Sequence, residues 1–482
     1  MEIPSTDLIA VLSQFNPWWR GESVPDLPAW KRAAFNDLRT WVVTPPVPRA
    51  VLLTGARQVG KTTLLLQVIE DLLASGVPAA NILYATFDHP LLKLSGIDNV
   101  LSAWREREPK AQGQEYLFLD EAQYLQDWGT WIKHQVDFNK QRRIVFTGSA
   151  TPLIEEHQES GVGRWHNIKL ATLSYYEYLK LKNVSIPEIP SLRSLTQLFD
   201  WPASEFYRTA ETSRPHAGHF HDYLIRGGFP QTAVLDSMAQ AQRLLREDII
   251  DKVLKRDMTA IYGVRRVVAL EYTFLYLCMH NGGILDVGNL CKSLELKRPT
   301  VHNFLDLLEA THLIYKLPPL GYGKNVLRGR FKVYMADPAI APAVLLKGKE
   351  LIEDATQLGI ATEAAVCKHL VARHYQQNVR FTYWKDRRDK EVDLLAEIAG
   401  KVIPFEVKYR GQVSGSRDLD GLLALCREKG LERAYVVTRS MDDFGPLPHV
   451  PEIIGTKIMR IPATMLCYWL GESELMEQGA YV

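Results

Sequence analysis

The sequence predicts an α/β protein with a doubly wound parallel core over 46–182 and a second α/β region over 346–482. Three observations predict it. Short apolar runs ending in polar residues recur between 50 and 150, a glycine-rich loop separates the first run from a helix, and short strands return after 360. VLLT (51–54), ILYATFD (82–88), YLFLD (116–120) and RIVFTGS (143–149) read as strands. They are nearly all apolar, as strands covered on both faces must be. Amphipathic stretches at 62–73 and 128–139 supply helices between them. Such sheets bind ligands at the carboxyl ends of their strands.

The loop is GARQVGKT, residues Gly55, Ala56, Arg57, Gln58, Val59, Gly60, Lys61 and Thr62, with Thr63 next. It fits the G-x-x-x-x-G-K-[ST] pattern between a strand and a helix. Its backbone N–H groups turn inward to cradle phosphates, with a helix N-terminus behind them. Lys61 is expected on the β- and γ-phosphates of ATP, and Thr62 on Mg²⁺. Asp120 ends an apolar run and is expected to hold the Mg²⁺ shell, while Glu121 orients the attacking water. Ser149 is placed to sense the γ-phosphate, with Thr147 as its neighbouring option. An oligomeric ATPase takes an arginine from the adjacent subunit, for which Arg164 in GVGRW and Arg226 in LIRGG are the candidates.

The 482 residues, 46% hydrophobic and 23% charged, suit a soluble chain of about three domains. No apolar run reaches the roughly 18 residues that span a bilayer. The start, MEIPSTDLIAVLSQFNPWW, lacks the basic residues of a secretory signal. Cys278, Cys291, Cys367, Cys426 and Cys467 contain no CxxC pair, so no zinc site or disulfide framework is expected and a reducing cytoplasm fits. The net charge of +1 leaves nucleic-acid binding to local distribution.

The remaining segments are expected as an N-terminal helical segment (1–45), a proline-rich irregular insertion (183–216), a helical lid (217–262) with one long helix from 238 to 261, and a three-helix-plus-hairpin region (263–345). In the last, Val301, Phe304, Leu305 and Leu308 recur at helical spacing. They leave Lys297, Arg298, His302 and Asn303 outside, near the N-terminal end of a recognition helix. Lys316, Lys324, Arg328, Arg330 and Lys332 follow without an acid between Ile314 and Val333, and with Tyr322 they suit a hairpin tracking DNA phosphates. Contact with protein is the alternative use of such a region. Further on, Asp393 lies in EVDLL, and Glu406 and Lys408 lie two apart in IPFEVKY, so both project from one strand face. With Glu363 this D…E-x-K set could hold a second Mg²⁺, with Lys408 steering a water toward a phosphodiester. KDRRDKE (385–391) reads as a solvated turn.

The motifs NPWW, GARQVGKTT, FLDEAQYLQDW, FTGSA, GRW with LSYYEYL, IRGGFP, and EVDLL with FEVK occur in order over about 400 residues. Together they resemble a large group of prokaryotic AAA-type ATPases. The resemblance implies an AAA-like core, a winged-helix domain and a C-terminal restriction-endonuclease-like domain of the PD-(D/E)XK type. Two departures stand out. The insertion at 183–216 is longer than usual, and TEAAV stands where the family has Glu-Asn. Glu363 is kept, but its amide support is missing. The implied function is an oligomeric, ring-shaped ATP motor, a hexamer being one form, acting on branched or structured duplex DNA in repair or recombination. A protein-binding signalling switch and an ATP-gated metal-dependent nuclease are the alternatives.

Overall fold

The apolar runs of the first third form five parallel strands, β1 (Ala50–Thr54), β2 (Ile82–Thr86), β3 (Glu115–Asp120), β4 (Arg142–Gly148) and β5 (Trp165–Lys169), in the order β2-β3-β4-β1-β5. The computed structural model describes residues 3–108, 113–125, 127–148, 163–260, 263–321, 330–377, 379–398, 400–409, 416–447 and 455–476. They fall into two compact units, residues 1–171 and 172–482.

In the first unit, helices Lys61–Ala74, Pro90–Arg107 and Trp128–Phe138 alternate with the strands. All five residues of β1 are buried, and Leu83, Leu117, Phe146 and Trp104 are among the fully enclosed core residues. Strand β4 separates β1 from β3, so the residue ending β4 lies between the phosphate loop and Asp120.

The edge strand β2 would expose unpaired backbone groups on its outer side. NPWW covers them. The Asn16 side chain donates to the Tyr84 carbonyl at 2.8 Å and accepts from the Tyr84 N–H at 2.7 Å, copying a strand partner. Two residues earlier on the same side, the Trp18 and Trp19 indoles both donate to the Ile82 carbonyl. Asn16 is fully buried, which makes its amide part of the sheet.

The second unit opens with helix Tyr175–Leu181, whose N-terminus is a capping box between Ser174 and Glu177. The stretch expected to be irregular, 183–216, instead contains the 3₁₀ turn Leu195–Asp200 and helix Ala203–Ser213. That helix buries Phe206, Thr209, Ala210 and Ser213. Two of these four are polar, so the buried stripe carries no apolar periodicity. The long helix is present as Met238–Glu247, running through a π-helical stretch Asp248–Asp257 into Met258–Ala260.

Helices Val267–Met279, Val287–Ser293 and Arg298–Ala310 follow, with a small antiparallel sheet of β6 (Ile284–Leu285), β7 (Ile314–Leu317) and β8 (Phe331–Met335) in the order β6-β8-β7. Beyond helix Ala355–Arg373 lies a six-stranded mixed sheet. Its strands are β9 (Arg380–Lys385), β10 (Glu391–Ile398), β11 (Lys401–Lys408), β12 (Arg433–Thr438), β13 (Gly445–Pro446) and β14 (Lys457–Pro462), ordered β13-β14-β12-β11-β10-β9. Helix Ala463–Ser473 is buried along almost its whole length. Among the described residues, no helix is long and apolar enough to cross a membrane.

Replacing Asn16 by Ala strands the N–H and C=O of Tyr84 in the interior. The expected loss is about 2–4 kcal/mol of stability, because unpaired buried groups cost their full desolvation. A denaturant titration of Asn16→Ala checks this, and a midpoint equal to wild type contradicts the clamp.

Candidate functional site

The phosphate loop leaves β1 and opens helix Lys61–Ala74. Gly60, the residue before that helix, has φ +94°, which a Cβ would oppose. A Cβ on Gly55 would lie 2.3 Å from the Leu170 carbonyl oxygen, so only glycine fits against β5. Lys61 is buried, and its ammonium donates to the carbonyls of Gly55 and Ala56 at 2.9 and 3.0 Å. It therefore lies inside the curve of the loop. Arg32 braces the loop from the N-terminal segment, donating to the Val59 carbonyl at 2.9 Å and the Ala171 carbonyl at 2.8 Å. Arg57 donates to the Tyr124 hydroxyl at 2.9 Å, linking the loop to the DEAQY turn. Thr63 is half-buried in the first helical turn.

Asp120 is 2% exposed and accepts three hydroxyls: Thr62 at 2.7 Å, Tyr84 at 2.9 Å and Thr147. Burial, followed by the Asp120 charge, pushes the Tyr84 phenol well up, so it remains a donor. Thr147 also accepts the Glu121 N–H at 2.9 Å, joining both acids through the end of β4. Glu121 adopts left-handed backbone (φ +54°), uncommon outside glycine, which turns the chain sharply after β3. Gln123 donates to its carboxylate. The hard oxygens of Thr62 and Asp120 already touch, beside a lysine held within the curve of the loop. That donor set suits Mg²⁺ with a nucleotide triphosphate. Ser149 lies outside the described residues. Sequence reasoning missed Tyr84, Asn16 and Arg32. Tyr84 resembles any strand aromatic, although Asn16 stands inside the quoted NPWW.

The two candidate arginines differ. Arg164 directly precedes β5, whose first residue pairs with Ala50, so it sits at the amino end of the sheet, opposite the phosphate loop. It is partly exposed and pairs with Asp137 at 3.3 Å. Arg226 does not suit a role in trans, and that expectation is corrected. It is buried, donating to the Leu235 and Asp236 carbonyls and facing Asp222 at 3.5 Å. In IRGGFP it therefore ties a turn together, while the following Gly228 N–H donates to Asp337 at 2.9 Å.

Lys297, Arg298 and Asn303 are exposed at the start of helix Arg298–Ala310, with His302 half-buried and Pro299 in the first turn. Arg330 is exposed, whereas Lys324, Arg328 and Tyr322 lie outside the described residues. Lys316 is held by Asp306 at 2.6 Å and Glu309 at 2.8 Å. Lys332 is 2% exposed and points inward, so its expected contact with DNA is also corrected.

Lys332 instead enters the D…E-x-K set. Its ammonium lies 2.8 Å from Asp393, 2.9 Å from Glu391 and 3.0 Å from Glu363. Pairing of β10 with β9 slips by one residue between Val392 and Leu395, and Asp393 lies within this bulge. The second Asp393 oxygen accepts the Val407 N–H at 2.9 Å. Glu406 and Lys408 do share a face, forming an ion pair of 2.5 Å. Tyr334 donates to Glu363. Among the described residues, no group of three or more His, Cys, Asp or Glu is arranged to hold a metal ion. Glu363, Asp393 and Glu406 therefore do not fit the expected Mg²⁺, because an ammonium already fills the space between the first two.

Burial and then the Asp393 charge push Glu363 up to about 7 and Glu406 up to about 8. Asp393 is lowered: burial works against this, but Lys332 outweighs it. The two raised carboxyls bind more protons folded than unfolded between their ordinary range and pH 8. Their contribution is full at low pH and is lost as pH rises through 7–8. The unfolding midpoint of Glu406→Gln is therefore expected above wild type at pH 8.5, with the gap closing at pH 5.5. Denaturant titrations at both values check this, and a gap independent of pH contradicts it.

Residues 47–179 match the model of an AAA domain, while 217–351 and 358–455 each match a domain of unknown function (DUF8612 and DUF4143). An uncharacterized protein of Haemophilus influenzae is 25% identical over 367 residues, covering 74% of this chain and 82% of its own. One of Mycobacterium tuberculosis is 26% identical over 400 residues, covering 82% and 77%. The solved Aeropyrum pernix ORC1 protein in complex with DNA shares 12% identity at a TM-score of 0.31, covering 68% of this chain and 96% of that one. AMPPCP-bound DnaA from Aquifex aeolicus shares 12% at 0.24, covering 57% and 84%. Such low structural scores do not bear on what the chain does. The match over 47–179, on a loop and acid placed as above, supports an AAA-type P-loop core in this part of the chain.

Proposed function

We propose that the protein is an oligomeric ATP-hydrolysing motor that acts on DNA. The observation that carries the ATPase reading is the chain of contacts Thr62–Asp120–Thr147–Glu121 beside Lys61. Lys61 has the charge and position to neutralise phosphate oxygens. Thr62 and Asp120 would hold Mg²⁺, which would draw charge from the phosphates. Glu121, turned out of the strand by its backbone, is the group to orient water. Arg164, away from its own loop at the amino end of the sheet and partly exposed beside Asp137, is the arginine we assign to a neighbouring copy's nucleotide.

DNA is supported by the exposed Lys297, Arg298 and Asn303 at one helix N-terminus and by exposed Arg330, on elements ordered as a winged helix. The Lys332 arrangement speaks against an ATP-gated nuclease. A protein-partnered switch would be favoured by turnover indifferent to DNA.

Glu121→Gln is expected to lower ATP turnover about 10²–10⁴-fold with nucleotide binding retained, whereas Lys61→Ala loses binding itself. Steady-state turnover and fluorescent-nucleotide titration check both, and full activity in Glu121→Gln would displace that residue from its role. Duplex, forked or four-way DNA is expected to stimulate turnover. Lys297→Ala with Arg298→Ala should weaken the DNA effect and lower the salt dependence of binding by about two contacts. Indifference to every DNA form would sink the motor reading.

A further inference from the structure

The carboxylate cluster holds its own cation. A lysine ammonium has three hydrogens, and Lys332 has a carboxylate partner for each of them: Asp393, Glu391 and Glu363, all within 3.0 Å. Mg²⁺ demands near-octahedral oxygens at about 2.0–2.1 Å and would need these same lone pairs. The other groups are also engaged. Asp393 spends its second oxygen on the Val407 N–H, Glu363 accepts Tyr334, and Glu406 is paired to Lys408. Among the described residues, one oxygen of buried Glu406, Oε2, has no hydrogen-bond partner.

Lys332 is also fixed by backbone pairing. It stands on β8, the middle strand of its sheet, opposite Ile284 of β6 and Leu317 of β7. Just past β7, the Leu320 N–H donates to the Tyr383 carbonyl at 2.7 Å, and the Tyr383 N–H to the Pro318 carbonyl at 3.1 Å. The hairpin thus extends the edge of the six-stranded sheet at β9. The ammonium is delivered by backbone pairing on three strands.

We propose that Lys332 replaces the divalent metal in the Glu363–Asp393–Glu406 cluster, so that this site fastens the hairpin to the C-terminal sheet and does not cut phosphodiesters. The charges support this role. Four acids, Glu363, Glu391, Asp393 and Glu406, face two ammoniums, Lys332 and Lys408, which offset half of that charge without a bound ion. Lys408, which a nuclease would use to steer water, is instead the partner of Glu406. The inference concerns the second unit and stands whether or not DNA drives the ATPase.

Mn²⁺ is a suitable probe, followed by the loss of its free electron-paramagnetic-resonance signal in nucleotide-free full-length protein. Wild type is expected to bind no Mn²⁺ that depends on Asp393. Lys332→Met is expected to gain one Mn²⁺ per chain, lost again in the double variant with Asp393→Asn. If Lys332→Met does not fold, Lys332→Met with Glu391→Gln removes the surplus charge and keeps three possible ligands. An Asp393-dependent Mn²⁺ site in wild type overturns the proposal, as does a folded Lys332→Met that binds none. Mn²⁺-dependent cleavage of DNA by wild type, abolished in Lys408→Ala, would overturn it as well.

Discussion

A carboxylate taken out of water must be given hydrogen bonds or a counter-charge, because leaving it unpaired costs several kcal/mol. Asp120 is the point in the first unit where that demand gathers the rest of the site. Three hydroxyls meet it, and each comes from a different piece of chain: Thr62 from the phosphate loop, Tyr84 from β2 and Thr147 from β4. The strand order β2-β3-β4-β1 makes this possible, since Asp120 ends the strand between β2 and β4. Asn16 extends the arrangement outward. By pairing with the backbone of Tyr84 it holds the edge strand that supplies one of the three donors.

The same demand is met differently in the second unit. Around Asp120 the donors are neutral hydroxyls, which can turn away and leave oxygen lone pairs to a metal ion. Around Asp393 the partner is an ammonium already matched to three acids. Removing it would leave like charges together in a buried site, where they repel strongly. One acidic cluster is therefore suited to a transient cation and the other to a permanent one. That is the physical difference between the proposed ATP site and the proposed fastening of the hairpin.

Much of the first unit was legible because its signals are local. GARQVGKT encodes the loop through glycine and helix-start chemistry, and β1 to β4 are continuous apolar runs with one polar end. Helix Arg298–Ala310 was equally plain, with Val301, Phe304, Leu305 and Leu308 all buried as their spacing requires. Helix Ala203–Ser213 was hidden because Thr209 and Ser213 occupy half of its buried stripe. Arg226 was misread for a related reason: an arginine beside two glycines looks available until its guanidinium is seen capping backbone carbonyls.

What the sequence by itself determined is what neighbouring residues can impose: the phosphate loop, the acid at the end of β3, and the shared strand face of Glu406 and Lys408. What only the tertiary structure decided is which distant side chains face those groups. Lys332 and Asp393 are 61 residues apart, and in sequence the lysine is one more basic residue in a hairpin. Its meaning depends on pairing between strands and on burial, and both of these are properties of the assembled sheets. A motif specifies the donors and acceptors of a site, but the fold settles which counter-charge satisfies them.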